Sequence, residues 1–160
     1  MATTTFSDTK GRQHEVRVTF AGVKRVLAAL DIDLTQLYAK DSAVMQRLLS
    51  NPLLACDVVY LLLKPELDAA NISDEQFGEC VAGEAFGKMT DCLFEALAVF
   101  FSGQDEQAGA TIRKALAAYR LTRRRVMERA QQEIEPENVA GKALATLEEH
   151  LAKSNGRLTS

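Results

Sequence analysis

Apolar residues recur along this chain with two different periods, and the switch between them marks out its elements. Over residues 15–20, Val16, Val18 and Phe20 alternate with Arg17 and Thr19, the period of two expected of a half-buried strand. Residues 3–6 read as a partner strand, and Ser7-Asp8-Thr9-Lys10-Gly11 between them is turn chemistry, with Gly11 available for a positive φ. Such a hairpin is marginal alone, so its apolar face is expected to pack on helices. From residue 22 the spacing becomes helical through Val23, Val26, Leu27 and Leu30, and Asp31-Ile32-Asp33 ends it. Asp33 or Asp41 is placed to cap a short helix beyond, one of which spans residues 42–49 with Val44, Met45 and Leu48 inward.

Asn51-Pro52 is a strong helix start, a capping side chain followed by proline where its missing N–H costs nothing. The apolar helix it opens is expected to end or kink at Pro65, with Asp57 on its one wet edge. Ser73-Asp74-Glu75-Gln76 is a capping box for a short helix holding Phe77, Cys80 and Val81, which Gly83 is expected to terminate. Gly83 and Gly87 form a GxxxG, which outside a membrane span indicates close packing at most.

Residues 84–101 then form the helix around which the rest is arranged. Phe86, Met89, Leu93, Leu97 and Phe100 make its apolar face, and Glu84, Lys88, Asp91 and Glu95 make a narrow polar stripe opposite. A longer helix over residues 105–132 has only a thin stripe of Ala108, Ile112, Ala115, Tyr119, Thr122 and Val126. Glu133-Ile134-Glu135-Pro136 breaks it, and Ala140, Leu144, Leu147 and Leu151 mark an amphipathic tail helix that frays from residue 154. The fold class is therefore mainly α: a multi-helix bundle with a small N-terminal β-hairpin packed on it. Residues 1–103 hold hairpin and helical core; residues 104–160, the basic helix and the amphipathic tail helix, are either the same domain or an appended arm.

Composition narrows the function more than the fold. At 160 residues, 47% of them hydrophobic and 26% charged, the chain reads as one ordinary globular domain. Cys56, Cys80 and Cys92 have no close spacing, which argues for reduced thiols in a cytoplasmic setting. The N-terminus lacks the pattern of a secretion signal, and the longest apolar run, residues 58–63, is far short of the ~20 residues needed to span a bilayer. Charge is uneven: residues 113–129 carry +6 and the remainder −9, for a net −3. Arg113, Arg120 and Arg124, with Arg125 beside them, form a basic face that is either a solvated surface or a means of pairing with an acidic partner or a second copy.

Chemistry-bearing motifs are missing from the sequence. With only His14 and His150, and without GxSxG, CxxC, HExxH, GxGxxG or GxxxxGK, no catalytic residue, metal site or cofactor site is assigned, and no enzymatic function is expected. Nucleic acid is the alternative partner for residues 113–129, in a nucleic-acid-binding or structural protein. The pI near 5.5 and the lack of aromatics interleaved with the arginines argue against it.

The stretch over residues 48–101 resembles the tail assembly chaperones of long-tailed bacteriophages and prophages. The shared features are Asn51-Pro52 opening an apolar helix, Ile72-Ser73-x-x-x-Phe77, a Gly83-Glu84 step and a closing aromatic pair, Phe100-Phe101. Phe6, Gly11, Val16-x-Val18, the helix over residues 22–30 and an Asp33-Leu34 step extend the likeness over roughly the first 100 residues. The resemblance implies a non-enzymatic holdase, acting in the host cytoplasm, that binds the long, helix-rich tape measure protein and helps bring tail tube protein onto it. In that family a programmed frameshift often extends part of the product; the alternative is a nucleic-acid-binding or structural phage tail or connector protein that uses the basic helix over residues 113–129. Under the chaperone reading the candidate partner-binding residues are those hardest to bury internally: Tyr119, Val126, Leu144, Leu147 and Leu151.

Overall fold

The computed structural model describes residues 4–39, 41–134 and 136–155. Strands β1 (Thr5–Ser7) and β2 (Gln13–Glu15) pair antiparallel, with Phe6 opposite His14. Gly11 takes its positive φ of 79° in the turn between them. The second strand is shorter and earlier than alternation predicts, because Thr19 accepts the backbone N–H of Gly22 and starts helix α1 (Phe20–Leu30) at Phe20. That turn swings Phe20 out of the strand's inner face and leaves it 61% exposed. Residue 3, assigned to the first strand, lies outside the described residues.

Asp33 caps a single 3-10 turn (Leu34–Gln36), but the cap of α2 (Ala43–Ser50) is Ser42, whose hydroxyl accepts from Met45. Asp41 instead sits at φ 58°, where its short polar side chain tolerates the left-handed region. Asn51 and Pro52 open α3 (Pro52–Ala69) as expected, with Asn51 Oδ1 accepting from Leu54 N at 3.2 Å. Pro65 neither ends nor breaks this helix, which continues for another turn. Proline deprives the carbonyl four residues back, that of Leu61, of its usual donor. The Arg25 guanidinium of α1 donates to that carbonyl and takes the donor's place.

The capping box at Ser73 and Gln76 forms in full and begins α4 (Asp74–Cys80). Gly83 is not its terminator: α4 ends three residues earlier, and Gly83, at φ 60°, precedes α5 (Glu84–Ser102). Neither Gly83 nor Gly87 packs closely, since a Cβ on either would meet open space. Helices α6 (Glu106–Ile134) and α7 (Pro136–Asn155) follow; the break expected over residues 133–136 falls on Glu135, which is not described. Glu135 and residues 156–160 lie outside the described residues.

Two compact units result, Met1–Ala117 and Ala118–Ser160. In the first, α1, α2 and α4 pack on α3, and α5 packs on both α3 and β1. Helix α5 is buried on most of its circumference, through Met89, Cys92, Leu93, Phe94, Ala96, Leu97, Ala98 and Phe101. The first turns of α6 complete this core with Ala108, Ile112 and Leu116. In the second unit, every residue over 120–132 and 140–154 is exposed.

Close approach occurs at Gly109, where an added Cβ would lie 2.7 Å from the Ala98 carbonyl oxygen and 1.7 Å from Ser102 Oγ. Gly109→Ala is expected to destabilise by about 1–3 kcal/mol, because backbone is what must move. Gly87→Ala, with open space around it in a helix, is expected to stabilise by about 0.5–1 kcal/mol. Urea unfolding midpoints of the two variants should move in opposite directions.

Candidate functional site

Helix α7 begins with proline in its first turn and then places Leu144, Leu147 and Leu151 at spacings of three and four, so that they share one face. Among the described residues nothing covers them: they are 59%, 60% and 62% exposed. Such a row costs solvation free energy in isolation, and contiguous apolar exposure of this kind marks interaction surfaces. On α6, Val126 is equally bare and Leu121 and Met127 are also exposed, whereas Tyr119 is half-buried and offers a partner less. Leu121 and Met127 escaped the sequence reading because they lie off the single stripe traced there.

The basic residues of α6 divide into two kinds. Arg113 is held by the body, its Nη2 2.6 Å from Glu95 Oε1 and its Nε 3.2 Å from both oxygens of that carboxylate. Pairing with Glu95 raises its pKa, and it therefore belongs to the α5–α6 packing rather than to an open basic face. Arg120, Arg124 and Arg125 are exposed in the second unit, together with Arg123 and Arg129. Arg124 and Arg125 have no carboxylate partner among the described residues.

A second surface lies in the first unit. The segment over residues 15–19, with Thr4 and the α5 residues Ala96, Val99 and Phe100, lines a groove of about 300 Å³. At its end Phe20 and Phe100 meet edge to face at 5.1 Å, and Val99 is 55% exposed. The sequence placed both rings inward; the early start of α1 brings Phe20 out to this rim, whereas Phe100 stays half-buried against the core.

The buried polar groups form a network that sequence reading did not find. Asp8, in the hairpin turn, accepts from the backbone N–H groups of Lys10 and Arg12, from Arg12 Nε at 2.8 Å and from His14 Nε2 at 3.0 Å. Burial pushes the Asp8 carboxyl up, but the His14 and Arg12 hydrogen bonds outweigh it and bring its pKa to about 2. The Arg12 guanidinium continues to Cys80 Sγ at 3.1 Å, and Thr9 N–H donates to the Cys80 carbonyl at 2.9 Å. His14 is enclosed by the rings of Phe6 and Phe77. The network is built within the hairpin, and its bonds to Cys80 tie the hairpin to α4. One signal was available: His14 has the same parity as Val16, so alternation places it on the inner face.

Asp57 is half-buried, its carboxyl pushed up by burial and then by nearby Asp74. Burial, with Asp57 and Asp74 nearby, also raises the Cys56 thiol to about 11. Cys80 and Cys92 are buried. All three thiols should therefore react slowly with Ellman's reagent in the native protein at pH 8 and rapidly in denaturant. Among the described residues, no group of three or more His, Cys, Asp or Glu side chains is arranged to hold a metal ion. No described helix is by itself long and apolar enough to cross a membrane.

No protein-family model, curated protein or solved structure matches the chain.

Proposed function

We propose that this protein is a non-enzymatic tail assembly chaperone that shelters apolar stripes of a long, helix-rich partner, the tape measure protein, and assists the assembly of tail tube protein around it. The observation that carries the reading is the bare leucine face of α7, Leu144, Leu147 and Leu151, with exposed Val126 on α6. A helix with such a face pairs with another amphipathic helix by burying leucines at i, i+3 and i+7 positions, the mode by which helical segments recognise one another. The body of α3 and α5 is the scaffold, and the pattern resemblance over roughly the first 100 residues agrees with the reading.

Co-expression tests it. With this protein present, a long coiled-coil-rich tape measure chain is expected in the soluble fraction. The pair should stay together at moderate salt, because apolar area drives the association. A tape measure chain equally soluble without this protein would remove the proposal.

A further inference from the structure

We infer that the partner segment taken by the second unit is an acidic amphipathic helix, selected by the unpaired arginines of α6 as well as by apolar contact. This inference takes the existence of a helical partner from the function proposed above and adds its charge. Three arginines of the first unit pair with carboxylates within the chain: Arg12 with Asp8, Arg17 with Glu15 and Arg113 with Glu95. On α6, Arg123, Arg124, Arg125 and Arg129 have no carboxylate partner among the described residues, and Glu128 is the single acid over residues 120–132. A helix segment exposed all round and carrying this excess of guanidinium groups attracts carboxylates, which they grip through paired N–H donors.

The apolar residues decide what kind of acidic partner this is. Leu121, Val126 and Met127 are interleaved with the arginines and are all half or more exposed. A phosphate backbone makes no use of them, and no exposed aromatic over residues 120–132 is present to stack on bases. A helix bearing leucines flanked by glutamates or aspartates satisfies both sets, as charged flanking positions do in paired helices. Electrostatic complementarity of this kind selects the partner and speeds encounter more than it adds affinity.

The test uses two synthetic helical peptides of about four heptads, with leucine at a and d and either glutamate or lysine at every e and g position. Like charges at e and g keep each peptide from pairing with itself. Binding to the full-length protein is read by fluorescence anisotropy at ~20 mM and ~500 mM salt. The glutamate peptide is expected to bind at least about tenfold more tightly at low salt, with the preference shrinking at high salt. R123E/R124E/R125E should invert the preference, and its unchanged circular dichroism melt will show that the fold is kept. L144A/L147A/L151A should weaken both peptides alike.

Equal affinities at low salt would overturn the charge inference while leaving the chaperone reading standing. So would tighter binding of a short DNA duplex than of the glutamate peptide. Binding of neither peptide, with the tape measure chain still solubilised on co-expression, would likewise end this inference alone; failure of both experiments would end the two together.

Discussion

Replacing Leu144, Leu147 and Leu151 together by alanine is expected to weaken binding to a helical partner by about a hundredfold while leaving the fold intact. Each leucine is about 60% exposed, so its remaining surface, once covered, contributes roughly 1 kcal/mol, and three together roughly 3 kcal/mol. Because the three side chains pack against little in the free protein, the same changes should alter stability by no more than ~0.5 kcal/mol each. Alanine also keeps helix propensity high, so a loss of binding would not reflect a melted α7. Titration calorimetry against the partner, beside thermal melts of the free protein, separates the two effects. A variant that binds normally would move the interface off α7.

The largest loss of stability is expected at Asp8. Asp8→Ala should cost about 3–5 kcal/mol, because it leaves the buried His14 ring and the Arg12 guanidinium without the carboxylate they were placed to meet. The hairpin should detach from α4 before the helical body melts, since Cys80 is then the hairpin's remaining polar tie to that helix. Asp8 also sets an acid limit. Its folded pKa is about 2, below the ordinary 3.8, so its stabilisation is fully present above the ordinary value and is lost as pH falls through about 2. Urea unfolding between pH 5 and pH 2 should show a decline in the wild-type protein, and Asp8→Ala should lack the part that this carboxyl contributes.

The parts legible in the sequence were those set by local spacing. Residues such as Met89, Leu93 and Leu97 announce α5 through periodicity alone, and Asn51-Pro52 and Ser73-x-x-Gln76 announce helix starts because a cap is satisfied within four residues. What escaped depends on partners far along the chain. Pro65 reads as a breaker until Arg25, 36 residues before Leu61, supplies a donor to the orphaned carbonyl. Asp8 reads as a turn residue until Arg12 and His14 converge on its carboxylate and Phe77 packs against the His14 ring. Arg113 belongs by spacing to a basic face, yet Glu95 of α5 claims it. The candidate partner residues fared by the same logic: α7 offers its leucines as the pattern suggests, whereas Tyr119 is drawn halfway into cover.

The account stands most directly on the solubility of a freshly synthesised chain. A long, helix-rich tape measure protein made in a cell-free reaction, with this protein added at equal concentration, should remain in the supernatant after centrifugation. With L144A/L147A/L151A in its place, the chain should pellet. If the chain pellets equally with the wild-type protein, or stays soluble with neither added, then sheltering apolar helical surface is not what this protein does.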